Sequence, residues 1–175
     1  MSDINAERIL VDAAPSLLAH FRRRVEALED AADLVSETVT TAWQSTRRMP
    51  RDPEQARMWV FGVARNTLRH HHRTTSRRDA LAIRLASTMD PAPWKDEGIG
   101  IEVRQAVAAL PAELGELIRL VHWDGFTLEQ AATLMGVTPS TLRTRHARAK
   151  QLLRHSLIEV DPGSRTGGWL VRLPA

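Results

Sequence analysis

The chain has 175 residues, a formal net charge of +3 and a pI of about 10.4, enough length for one domain or two small ones that fold without covalent staples. The absence of cysteine excludes disulfides and thiolate metal sites. No apolar run approaches the roughly 20 residues of a membrane span, and MSDINAERIL lacks the basic-then-apolar order of a signal peptide, so no membrane association and a cytoplasmic location are expected.

Charge is segregated along the chain. Basic residues concentrate at Arg22 to Arg24, Arg47 to Arg51, Arg65 to Arg78 and Arg143 to Arg154, whereas acids gather around Glu26 to Glu37 and Asp90 to Glu102. A solvated helical face explains any single cluster; their repetition points to separate surfaces for a polyanion and for a protein.

In chain order, the first predicted helix runs from Ser16 to about Leu28, opened near Pro15, with Leu17, Leu18, Phe21, Val25 and Leu28 at helical spacing. The second runs from about Asp30 to Ser45, where Ala31, Leu34, Val35, Thr38, Val39 and Ala42 form one stripe and leave Asp33, Ser36 and Glu37 outside. Trp43, near its end, is assigned to the core, with a partner contact as the alternative. After Arg47-Arg48-Met49-Pro50-Arg51, Asp52 reads as a cap, Pro53 as a first helical residue and Gln55 as the third-position partner.

The third helix turns Trp59, Val60, Val63, Ala64, Thr67 and Leu68 inward and leaves Arg65, Asn66, Arg69, His70, Arg73 and Arg77 outside as a ladder of donors, with Trp59 and Phe61 at its head. Arginines suit phosphate, and exposed aromatics suit unstacked bases. His70-His71-His72 is not read as a metal site, because successive helical residues diverge by about 100 degrees and cannot converge on one ion. His20, His122, His146 and His155 show no ligand spacing with nearby carboxylates and read as surface or packing residues, so neither metal nor cofactor is expected.

Asp90-Pro91-Ala92-Pro93 and Gly98-Ile99-Gly100 read as linker punctuation. Beyond them a helix over Ile101 to Leu110 aligns Val103, Ala106, Val107 and Leu110, and Pro111 opens another carrying Leu114, Leu117, Ile118 and Val121, stopped at Asp124-Gly125. Thr127 and Gln130 make a capping box for a short helix, Gly136 turns the chain, and Thr138 with Pro139 starts a longer basic helix. Leu142, Ala149, Leu152 and Leu153 form the apolar stripe of that last helix; Arg143, Thr144, Ala147, Arg148 and Lys150 lie opposite. This is helix-turn-helix logic, in which the second helix enters the major groove. Ser140 and Thr141, near its N-terminus, suit a phosphate, and an arginine can donate two hydrogen bonds to guanine O6 and N7.

The expected fold class is all-α: a helical domain over 1–85, a flexible linker over 86–100, a four-helix domain with the helix-turn-helix over 101–156, and a tail over 157–175. The tail is expected to be mobile or to dock through Trp169.

DLVSETVTTAW at Asp33 to Trp43, WVFGVARNTLRHHHR at Trp59 to Arg73, and ALPAELGELIRLVHWDGFTLEQAATLMGVTPSTLRTRHARAKQLLR at Ala109 to Arg154 together resemble the extracytoplasmic-function sigma factors, small bacterial sigma factors that keep only regions two and four. The resemblance spans about Ser16 to Ser156. It implies a non-enzymatic subunit that binds core RNA polymerase and directs it to specific promoters, with an anti-sigma factor as a further partner common in the family. Asp33, Leu34 and Glu37 match the helix that docks on the polymerase. Arg65, Asn66, Arg69 and Arg73 match the helix at the upstream edge of the melted minus-ten element, and the loop around Met49 to Asp52 falls where a flipped base is captured. Thr141, Arg143, Thr144 and Arg148 match the face that reads the minus-thirty-five element. His146 stands where the family usually has an aliphatic core residue, and with no tyrosine in the chain base stacking would fall to Trp59 and Phe61.

A helix-turn-helix regulator with an N-terminal sensing domain is the alternative. Against it, the N-terminal half shows no strands for a receiver fold, and its basic ladder suits nucleic acid better than a small-molecule pocket. A small helical enzyme is the other rival, but no Ser-His-Asp arrangement, glycine-rich phosphate loop or metal-spaced cluster is present in the sequence.

Overall fold

The structure, a computed structural model, describes residues 3–82 and 100–160, with side chains over 5–75 and 100–157. The chain divides into two compact units, residues 1–94 and 95–175. Every regular element among the described residues is helical. The linker residues 86–99, the Arg77 side chain and the Trp169 tail lie outside the described residues.

The first unit packs three helices: α1 (Asp3–Arg22), α2 (Leu28–Gln44) and α3 (Pro53–Ala82), with a 3-10 turn at Thr46–Arg48 between the last two. Helix α1 begins at Asp3 rather than near Pro15, and Pro15 lies inside it. The proline lacks the N–H that would bond the carbonyl of Val11, but both residues are exposed, so water can take that carbonyl. The buried residues Ala6, Leu10 and Leu17 run through the proline at helical spacing, and that burial holds the helix together across it. The helix also ends sooner than the periodicity predicts, at Arg22. Arg23 and Arg24 fold back to donate to the carbonyls of Ala19 and His20, at 3.1 and 2.7 Å. Two arginines of the first basic cluster thus serve a helix C-terminus, where cations are favoured.

Helix α2 buries Ala31, Leu34, Thr38 and Ala42, as its stripe predicts. Trp43 is 45% exposed and does not join the core. The start of α3 follows its sequence signal, since the Gln55 N–H donates to Asp52 Oδ1 at 2.9 Å. Leu17, Phe21, Val60 and Phe61 are almost fully buried, and His20 stands edge-on to Phe21 and Phe61 with ring centroids 5.3 and 5.2 Å away. Arg57 lies over the Phe61 ring at 5.1 Å.

The second unit contains α4 (Ile101–Ala108), α5 (Ala112–Ile118), α6 (Leu128–Met135) and α7 (Pro139–Val160), with a π-helical turn at Arg119–Trp123 continuing α5. Ala106, Val107, Leu114, Ile118, Ala149 and Leu153 form a core, flanked by Leu110, Trp123, Leu152 and Leu157. A Cβ on buried Gly115 would lie 3.1 Å from the Val107 carbonyl oxygen, so the small residue permits the close approach of α4 and α5. The Thr127–Gln130 capping box opens α6, with bonds of 3.2 and 2.9 Å, and Gly136 closes it at φ 70°, in the left-handed region.

Candidate nucleic-acid interface

Helix α7 presents one of two basic faces. Leu142, Ala149 and Leu153 are wholly buried and fix its rotation, which leaves Ser140, Thr141, Arg143, Thr144 and Arg148 exposed. At 100 degrees per residue these five fall within about 160 degrees of arc. Thr138 gathers the hydroxyls at the helix start: its Oγ1 lies 3.0 Å from Ser140 Oγ and 2.8 Å from Thr141 Oγ1, and it accepts the Thr141 N–H at 3.3 Å. This cluster, together with the positive end of the helix dipole, is chemically suited to a phosphate. The Thr144 hydroxyl donates to the Ser140 carbonyl at 3.2 Å, so its methyl group is what it offers outward.

Arg143 reaches across the corner and donates from Nη2 to Glu129 Oε1 of α6 at 3.2 Å. The Glu129 carboxyl is held below its ordinary range, first by a hydrogen bond from its own backbone N–H and next by the Arg143 side chain. On the flank of the same helix, Arg145 pairs with Glu113 of α5 at 2.9 Å. Neither carboxylate was legible as a partner, because pairs 14 and 32 positions apart across a helix corner leave no local spacing signal.

Behind this face, His146 is buried and stacks on His122 of the π-helical turn, with centroids 5.3 Å apart, rings inclined by 26° and a 3.0 Å hydrogen bond between the two Nε2 atoms. Burial, then His146, then Lys150 push the His122 pKa down to about 4; burial and Lys150 lower that of His146. Both rings are therefore neutral near pH 7, one donating and the other accepting. His146 is thus half of a polar pair behind the exposed face, and Leu142, Ala149 and Leu153 keep α7 in its buried register.

Helix α3 carries the second face. Asn66, Arg69 and Arg73 are exposed and Arg65 is half-buried, while Val60, Ala64, Thr67 and Leu68 are buried opposite them. Arg65, Arg69 and Arg73 follow an i, i+4, i+8 line and span about 12 Å along the axis. Of the aromatic pair at the head of the ladder, Trp59 is half-buried and Phe61 is 1% exposed under Arg57. Phe61 is thus a core residue and offers no ring face for stacking. In the preceding loop Arg47, Arg48 and Arg51 are exposed while Met49 is buried as an anchor. The histidine triplet diverges, with His70 and His72 exposed and His71 turned toward Asp30, Nε2 to Oδ2 4.0 Å.

On α2, Asp33 and Glu37 are exposed one turn apart. Leu34 is only 2% exposed and packs in the core, so it cannot offer its side chain to a docked protein; it sets the rotation that turns Asp33 and Glu37 outward.

Residues 10–78 match the family described as Sigma-70 region 2, and residues 101–153 match Sigma-70, region 4. The chain is 30% identical over 149 residues to the ECF RNA polymerase sigma factor SigF of Caulobacter vibrioides, covering 83% of this chain and 81% of that protein. It is 30% identical over 147 residues to a probable RNA polymerase sigma factor, RfaY, of Xanthomonas campestris, covering 78% of this chain but only 36% of the longer relative. Its fold is similar to that of the sigma factor RpoE solved with the anti-sigma factor NepR from Bartonella quintana, with a TM-score of 0.67 and 25% identity over 90% of this chain and 98% of that one.

Proposed function

The chain belongs to the extracytoplasmic-function sigma factors of the sigma-70 family, and from that premise we propose that it binds core RNA polymerase in the cytoplasm and directs it to promoters through its two basic helical faces. The observation that carries this reading is the pair of arginine-bearing faces, on α3 and on α7, each held outward by a buried stripe behind it.

In this proposal α7 lies in the major groove of the minus-thirty-five element. Ser140 and Thr141 hold a phosphate, Arg143 reads a base edge, Thr144 offers its methyl group, and Arg148 takes a further phosphate. On α3, Arg65, Asn66, Arg69 and Arg73 follow the backbone at the upstream edge of the minus-ten element. Arg47, Arg48 and Arg51 in the preceding loop attract the strand that separates, and Trp59 is the aromatic residue nearest to that task. Asp33 and Glu37 dock on the polymerase. The polymerase makes the phosphodiester bonds; this chain selects where, and no residue of it is assigned a catalytic step. An anti-sigma factor is proposed as a second partner, by likeness to the Bartonella complex.

Run-off transcription with purified bacterial core enzyme over a genomic library tests the proposal. Start sites that appear only with the added chain and share two spaced elements are expected. Transcription unchanged by adding the chain would overturn it, and tight, sequence-specific duplex binding without polymerase would favour the regulator instead.

A further inference from the structure

Resting on the base-reading role of Arg143, we propose that Glu129 is a positioning residue that sets specificity: its carboxylate holds the Arg143 guanidinium ready to read one base pair of the upstream element. Glu129 is the second residue after the Thr127 cap, on a backbone fixed by the capping box. Its own N–H also bonds the carboxylate, so the acceptor is both ionised and anchored. Arg143 comes from the other helix of the motif and meets it at 3.2 Å. The Nη2 atom carries two hydrogens. One bond to Glu129 therefore leaves the other, with Nη1, for O6 and N7 of a guanine.

Both side chains are well exposed, 58% and 62%, and an exposed ion pair adds little to stability. Its place on the outward corner gives it a different use. A free arginine next to DNA is drawn equally to the nearest phosphate, which carries no sequence information. Glu129 opposes that swing, because it retains the guanidinium and repels phosphate. It also removes part of the rotamer freedom that Arg143 would otherwise lose on binding. The consequence is an exchange of general affinity for selectivity, which a residue supporting only the fold would not produce.

The test uses the full chain with core enzyme on promoters randomised in the upstream element, read by sequencing the transcripts, and compares Glu129→Ala, Glu129→Gln, Arg143→Ala and the double variant. Glu129→Ala is expected to flatten, by roughly two- to fivefold, the same single position that Arg143→Ala flattens. The double variant should go no further than Arg143→Ala, and Glu129→Gln, which keeps an acceptor, should fall between. Binding of the polymerase-free chain to non-promoter duplex should rise in Glu129→Ala. If Arg143→Ala flattens a position that Glu129→Ala leaves intact, or if Glu129→Ala weakens all positions alike, the inference is wrong. If Arg143→Ala flattens nothing, Arg143 does not read a base, and both statements fall.

Discussion

Behind the outward face of α7, His122 and His146 share one hydrogen across 3.0 Å, and that bond requires the accepting ring to be uncharged. The folded pKa of His122 is pushed down to about 4 from the ordinary 6.5 of a histidine, and that of His146 is also lowered. Depressed values mean that the unfolded chain takes up protons first. The stability these rings contribute is therefore whole above about pH 6.5 and is lost progressively as pH falls toward 4. Lys150 adds to the cost of charging either ring. Thermal melting of the full chain should show a midpoint that drops between pH 7 and pH 5, with a smaller drop for His146→Leu; equal drops would remove the pair as the cause. The sequence marked His146 as a departure from an aliphatic pattern but gave no hint of His122, 24 positions away. Leu34 went the other way, matching a docking helix by motif while the apolar stripe it belongs to buries it.

At the scale of elements, start and stop signals were the most legible feature, because caps are local chemistry. Asp52 and Thr127 each accept the N–H of the residue three positions on, as their spacing predicts. Gly136 adopts φ 70° with nothing within 4 Å of where a Cβ would stand, so its requirement is one of backbone conformation alone. Gly136→Ala should cost about 1–2 kcal/mol and lower the melting of the second unit by about 4–8 °C per kcal/mol, read by calorimetry. No change in melting would mean that the corner tolerates a Cβ. Helix α1 was the least legible, since Pro15 reads locally as a start, whereas burial of Ala6 and Leu10 against the rest of the unit decides the matter. On α2, the exposed pair Asp33 and Glu37 is expected to serve docking. Asp33→Ala with Glu37→Ala should weaken association with core polymerase several-fold in a titration without altering the melting of the chain, because surface changes seldom move stability by more than about 0.5 kcal/mol.

At the scale of the whole molecule, each unit brings only a few cations to DNA. On α7, Arg148 is the cation assigned to a phosphate and would give a salt slope of about −1 for duplex binding, too shallow for tight association by that unit alone. Two weak contacts become selective when geometry allows both to be made at once, and in this account the polymerase supplies that geometry. Without core enzyme, the chain should therefore bind promoter duplex little better than random duplex.

The most direct measurement of the central claim is run-off initiation by core enzyme plus this chain on a recovered promoter, with base changes in each element crossed against variants of each face. Wild-type chain should lose initiation on a change in either element. Arg143→Ala should become indifferent to one upstream base yet keep its sensitivity downstream, and Arg69→Ala with Arg73→Ala should lower initiation without altering upstream preference. Initiation that does not depend on the added chain, or variants on the two faces that respond identically to both elements, would contradict two separate faces acting through one polymerase.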